Sequence, residues 1–172
     1  MQKNGWLLYG ANGYTGRLIA REAVRLGMRP VLAGRSEEGV IALAAELKLP
    51  YVVCALDDHD ALVSMLRDVR AVLHAAGPFS VTSRPMVRAC LEARTHYIDI
   101  TGEISVFEAC ARKDSKAKEA GIVLLPGAGF DVVPSDCLAK MLSEALPDAV
   151  SLELAFAGSG GASIGTAKTA LR

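Results

Sequence analysis

Between Trp6 and Leu146 one unit recurs six times: a short apolar run, a break, then a stretch whose apolar residues fall at helical spacing. The runs Trp6–Tyr9, Pro30–Ala33, Tyr51–Leu56, Ala71–Ala75, His96–Thr101 and Ile122–Leu125 read as strands. Strands that are apolar throughout must be covered on both faces, and parallel strands joined by helices provide that cover. Right-handed crossovers then predict a doubly wound parallel α/β sheet with strand order 3-2-1-4-5-6.

Local signals place the helices. Leu18, Ile19, Ala23 and Leu26 mark the first, with Gly27 past its end. Ser36 is set as an N-cap, followed by Glu37 and Glu38 and then by the apolar face Val40, Leu43, Ala44 and Leu47. Further helices are predicted over Asp57–Arg67, from an opening at Ser83 and Pro85, over Glu103–Ala120 with Gly121 as cap, and over Pro134–Leu146, ended by Pro147. After Pro147 the pattern changes. Val150, Leu152, Leu154 and Phe156 alternate with smaller or polar residues, which predicts a strand over Val150–Ala157 in a sheet covered on one face. The small-residue stretch Gly158–Gly165 and a helical start ending at Arg172 follow. Residues 1–147 are therefore read as a Rossmann domain. Residues 148–172 are read as the beginning of a truncated α+β domain for substrate or dimerisation, so the chain alone is expected to be inactive.

The strongest local motif is Gly10-Ala-Asn-Gly13-Tyr-Thr-Gly16, placed between the first strand and the first helix. In that context glycines allow a tight turn, a close approach of pyrophosphate to the backbone, and close packing of the helix. The N–H groups and dipole at the helix N-terminus then receive the phosphates. Gly10, Asn12, Gly13, Tyr14, Thr15 and Gly16 are candidate cofactor residues. After the second strand, where an NAD-preferring domain carries an acid, this chain has Gly34-Arg35-Ser36, with Arg35 25 residues past Gly10. Arg35 can pair with a 2′-phosphate and stack on adenine, and Ser36 can add a hydrogen bond, so NADP(H) is the expected cofactor. Asp57 and Asp58 follow the third strand; one is expected to cap a helix, and Asp57 is also a candidate for adenine.

Strand four ends in His74-Ala-Ala-Gly-Pro-Phe79. Small residues here let backbone approach a nicotinamide ribose, which makes Ala76, Gly77, Pro78 and Phe79 candidates, with Phe79 walling one ring face. His74 lies inside an apolar strand and reads as a hydrogen-bonded core residue. Later strand ends bring Tyr97, Asp99, Glu103 and Asp131, the weak candidates for proton transfer or substrate orientation. For Asp99 and Glu103, helix capping or attachment to the second domain is an equal alternative. No residue declares itself as the proton donor.

Composition narrows the rest. Lys+Arg and Asp+Glu are both 19, giving a formal net charge of zero and no pointer to nucleic acid or an anionic membrane. Cys54, Cys90, Cys110 and Cys137 are dispersed, which argues against a zinc site or disulfide framework and suits a reducing cytoplasm. Neither a signal peptide nor a transmembrane stretch is expected, and no metal.

Taken with Leu32-Ala-Gly-Arg-Ser36, His96-Tyr-Ile-Asp-Ile-Thr-Gly-Glu103 and Pro126-Gly-Ala-Gly-Phe-Asp-Val-Val-Pro-Ser-Asp136, the glycine turn and the His74–Phe79 segment resemble the saccharopine dehydrogenase-like oxidoreductases. Within that group the chain looks closest to the branch of trans-acting enoyl reductases, over Trp6 to about Lys168. The resemblance implies a domain that binds NADP(H) and a second domain that completes the active site. It matches Gly10, Gly13, Tyr14, Thr15, Gly16, Arg35, Ser36, Ala76, Gly77 and Pro78 to the family's cofactor positions. It implies hydride transfer to or from a small-molecule or lipid-like substrate, and association of copies through the second domain.

Other readings fit less well. A short-chain dehydrogenase needs Tyr with Lys four residues on, and no tyrosine here has that partner. A semialdehyde reductase needs a nucleophilic cysteine; Cys137 sits among Leu138, Met141 and Leu142, which are expected to form a buried helix face. A non-catalytic NADP(H) sensor or scaffold is the alternative of a different class.

Overall fold

The computed structural model describes residue 3, residues 5–130 and residues 132–155. Six parallel strands form one sheet: β1 (Trp6–Tyr9), β2 (Val31–Gly34), β3 (Tyr51–Val53), β4 (Ala71–His74), β5 (His96–Asp99) and β6 (Leu124–Leu125). Their spatial order is β3-β2-β1-β4-β5-β6, the predicted doubly wound order. Among the described residues seven helices connect and follow them: α1 (Tyr14–Arg25), α2 (Glu37–Leu47), α3 (His59–Arg67), α4 (Phe79–Ala93), α5 (Ile104–Ala111), α6 (Asp114–Ala120) and α7 (Val133–Ala145). Two apolar clusters form the core. One packs α3, α4, α5 and α6 residues such as Leu62, Leu66, Met86, Cys90 and Val106 on the sheet. The other packs Ala20, Val40 and Leu43 on Leu8 and Leu32. The central strand β1 pairs with β2 on one side and β4 on the other, and Leu7 and Leu8 are wholly buried. Burial on this scale is the main term favouring the fold.

The structure corrects several boundaries. β3 stops at Val53 rather than Leu56 because it pairs only with β2, and Cys54 N closes the ladder on Gly34 O, the last residue of β2. α3 begins at His59, with Asp58 accepting from Ala61 N, so Asp58 is the cap and Asp57 stays exposed outside the helix. α4 begins at Phe79, and Pro85 lies inside it rather than at its opening. The single helix predicted over Glu103–Ala120 is two, since Lys113 N bonds Cys110 O and tightens the chain between α5 and α6. In α7 the expected buried face is open: Cys137 is exposed, as are Leu138, Met141 and Leu142. No described residue of α7 is buried. Residues 150–155 form no strand, for no ladder partner meets them among the described residues. The end of that predicted strand, the Gly158–Gly165 stretch and the helical start toward Arg172 lie outside the described residues. Among those described, no helix is long and apolar enough to cross a membrane, and no cluster of His, Cys, Asp and Glu suits a metal ion.

Candidate dinucleotide site

Strand order reverses between β1 and β4, where the crossovers leave in opposite directions, and ligands of such sheets lie at the carboxyl ends there. The glycine turn follows β1. Gly10 N and Ala11 N both donate to Ala33 O, at 2.8 and 3.1 Å, tying the turn to the end of β2. Gly10 has φ +82, and a Cβ on it would stand 2.9 Å from the backbone of Ala75 and Ala76. The turn therefore rests directly on the segment that follows β4, which a larger residue would push away. At Gly16 a Cβ would lie 2.1 Å from Gly10 O, so only glycine lets α1 start so close to the turn.

Gly13 is the N-cap of α1 and is exposed; it offers no side-chain cap, and the first turn of the helix carries no acid. The leading N–H groups of this helix thus face outward with the positive end of the dipole behind them. Tyr14 is 72 % exposed and Thr15 half-buried beside them. One residue that sequence reasoning passed over joins the turn: Arg17 donates Nε to Asn12 O at 3.0 Å. As an exposed residue in the first turn of a helix it gave no signal of its own.

Arg35 and Ser36 lie exposed just beyond β2. Ser36 occupies the N-cap position of α2 as predicted, but makes no capping bond with its side chain. Asp57 is exposed beyond β3. Across the switch point, Gly77 is exposed and Ala76, Pro78 and Phe79 are half-buried, and the Gly77–Pro78 peptide is cis.

His74, beneath that segment, is wholly buried between the rings of Tyr9, Phe79 and Tyr97. Its Nε2 lies 3.0 Å from Thr82 Oγ1, whose hydroxyl in turn donates to Ala76 O at 2.6 Å. Thr82 has a single proton to give, so Nε2 must donate, and the imidazole is the neutral Nε2–H tautomer. Nδ1 is left without a partner among the described residues. Desolvation lowers the His74 pKa to about 3, so it stays neutral. It supports the segment and carries no proton into the crevice.

The three described catalytic candidates are already engaged. Tyr97 and Asp99 are both fully buried. Tyr97 OH donates to Asp99 Oδ2 at 2.5 Å, while Asp99 Oδ1 accepts from Thr101 N and Gly127 N at 3.0 and 2.8 Å. Burial, and then the Asp99 charge, push the Tyr97 phenol far above its ordinary range. This pair pins the loops after β5 and β6 rather than facing a ligand. Glu103 reaches across to α4, accepting from Phe79 N at 2.7 Å and Ser80 N at 3.0 Å. It is the cap of that helix, the capping alternative its sequence position left open. Asp131 lies outside the described residues.

The family described as "Saccharopine dehydrogenase NADP binding domain" matches residues 6–125. A saccharopine dehydrogenase-like oxidoreductase of Bos taurus is 29% identical over 150 residues, covering 76% of this chain and 35% of its own length. A Mycobacterium tuberculosis protein named "Putative trans-acting enoyl reductase" is 33% identical over 138 residues, covering 76% of this chain and 33% of its own. Among solved structures, apo saccharopine dehydrogenase (L-Glu forming) from Saccharomyces cerevisiae superposes with a TM-score of 0.71 at 18% identity, over 83% of this chain and 31% of that one. The chain spans about a third of the length of these relatives.

Proposed function

Since the chain belongs to the saccharopine dehydrogenase NADP-binding domain family, with NADP(H) as its cofactor, we propose that it is the cofactor-binding part of an oxidoreductase whose substrate is held by a further domain. The substrate is a small molecule or a lipid-like one. One observation carries the reading: the N-terminus of α1 is left uncapped beside an exposed Arg35, with no acid in the place where an NAD-preferring domain needs one. These residues fit a dinucleotide with a 2′-phosphate.

In this reading the N–H groups of Tyr14, Thr15 and Gly16 receive the pyrophosphate, Gly13, whose own N–H donates to Gly10 O, lets it come close to the backbone, and Asn12 and Gly10 shape the turn. Arg35 and Ser36 take the 2′-phosphate, and Asp57 borders the adenine. Ala76, Gly77, Pro78 and Phe79 line the nicotinamide end, held from below by His74 and Thr82. When bound, the cofactor supplies or accepts the hydride, and the chain positions it and excludes water on the sheet side. Tyr97, Asp99 and Glu103 are committed to internal hydrogen bonds, so the proton donor is assigned to Asp131, to the further domain or to the substrate's surroundings. Association of copies belongs to that domain as well. The four free cysteines, three of them buried, suit a reducing compartment such as the cytoplasm. A sensor without turnover gains no support from the comparisons.

Paired calorimetric titrations with NADPH and NADH test the reading. The parent chain should bind NADPH at least ten-fold more tightly, and Arg35→Ala should weaken NADPH much more than NADH. Equal weakening would remove Arg35 from its role, and failure of the parent to bind either cofactor would overturn the site.

A further inference from the structure

Beside the glycine turn is a fit that phosphate binding does not itself require. A Cβ on Gly39 would lie 2.7 Å from Asn12 Nδ2 and 3.2 Å from both Asn12 Cβ and Ser36 Oγ. A Cβ on Gly34 would lie 3.0 Å from Asn12 Oδ1 and 3.1 Å from Val40 Cγ2. Neither glycine has positive φ, so neither is needed for its backbone. Gly39 in fact stands in the first turn of α2, where alanine would favour the helix. The space explains the glycines: together they form a socket that the Asn12 side chain fills. Asn12 belongs to the turn, which Gly10 N and Ala11 N fasten to the end of β2, and its carbonyl accepts from Arg17. Its amide makes no hydrogen bond among the described residues, so shape holds it there.

We infer that Asn12 is a positioning residue for cofactor selectivity: seated between Gly34 and Gly39, it fixes the Arg35–Ser36 segment against the pyrophosphate turn, so the spacing of the two anion subsites is set before the cofactor arrives. The inference rests on the reading of Arg35 as the 2′-phosphate residue. Pyrophosphate is common to NADPH and NADH, whereas the second subsite matters only to NADPH. Disturbing the seat should therefore change the ratio of the two affinities more than the affinity for NADH.

Gly39→Ala is the direct test. The nearest clash is with the tip of a flexible side chain, so the fold can accommodate the methyl by moving Asn12. The melting temperature should hold or rise, while the NADPH preference falls at least five-fold and NADH affinity stays within two-fold. Adding Asn12→Ser to Gly39→Ala makes room for the methyl and should recover part of the lost preference. Asn12→Ser alone, which empties the seat without adding bulk, should lower the preference about three-fold and serves as the readout if Gly39→Ala does not fold. A Gly39→Ala chain that melts higher and keeps its preference within two-fold would overturn the inference, leaving Gly39 an ordinary helix glycine. Arg35→Ala is measured alongside. If it abolishes the preference while Gly39→Ala and Asn12→Ser do not, only the inference fails. If Arg35→Ala itself leaves the preference intact, the reading beneath it fails.

Discussion

Two helices start at the carboxyl edge of the sheet on either side of the switch point, and their N-termini are treated in opposite ways. At α1 the cap residue is Gly13, with no side-chain bond to the first turn and no acid in it. At α4 the cap residue, Pro78, also has nothing to offer, yet Glu103 crosses from the loop after β5 and takes Phe79 N and Ser80 N with its two carboxylate oxygens. The leading N–H groups of any helix need acceptors, and the dipole favours an anion in that place. One terminus has its anion built in. The other presents the same demand to the outside, with Arg17 and Arg35 near the turn it grows from. In the proposed reading the difference separates a terminus used to brace the molecule from one kept for a ligand, a distinction that glycine counting alone does not supply.

The most severe way to break the open terminus is Gly16→Ala. Its Cβ would fall 2.1 Å from Gly10 O, a backbone atom that cannot swing aside. Overpacking of this kind costs about 1–3 kcal/mol or more. NADPH affinity should fall at least 100-fold, about 2.7 kcal/mol, by calorimetry, with a lower urea midpoint. Binding within three-fold of the parent would mean that the phosphates are received elsewhere.

The braced side can be probed through pH. His74 has a folded pKa near 3, depressed below the unfolded value, and so contributes stability above about pH 6.5 that is lost as pH falls. The unfolded chain takes up a proton there that the folded chain refuses. At pH 5 the loss should reach about 2 kcal/mol relative to pH 7.5 in urea unfolding. His74→Asn should flatten that slope between pH 6.5 and 5; an unchanged slope would assign it to other groups.

A substitution at Glu103 should turn the braced terminus into an open one. Glu103→Ala removes two charge-assisted bonds and should cost about 1–2 kcal/mol of stability. With the α4 terminus exposed, sulfate should restore more stability to the variant than it adds to the parent, in thermal melts at constant ionic strength. An equal sulfate response would show that α4 cannot take an outside anion, and the contrast with α1 would then lie in geometry rather than occupancy.

The same contrast explains what the sequence disclosed. The turn of α1 was legible because every part of it is local: strand, glycines and helix follow one another within Trp6–Arg25. The sheet order followed from the repeating pattern and the handedness of crossovers. The start of α4 was not legible, because its cap comes from Glu103, 24 residues away, and the eye falls instead on Ser83 and Pro85. The Asp99 anchor was hidden for the same reason, since its partners span Tyr97 to Gly127. Gly39 gave no signal within its helix because its neighbour in space, Asn12, belongs to another element. The open face of α7 eluded the pattern in a different way. Periodicity shows that a face is apolar, not that anything covers it.

The smallest expected effect sharpens the comparison within the open side itself. Arg17 gives Nε to Asn12 O and has no other hydrogen bond among the described residues, so its remaining donors stand near the uncapped terminus. In the proposed reading it adds positive potential there, to the subsite that both cofactors would share. Arg35 stands beyond β2, where only the 2′-phosphate of NADPH would meet it. Arg17→Ala should therefore weaken NADPH and NADH alike, by about three-fold, and leave their ratio unchanged, with the effect shrinking as salt screens the charge. A fall in the ratio would move Arg17 to the 2′-phosphate side of the turn. The open terminus would then serve the second subsite as well as the first.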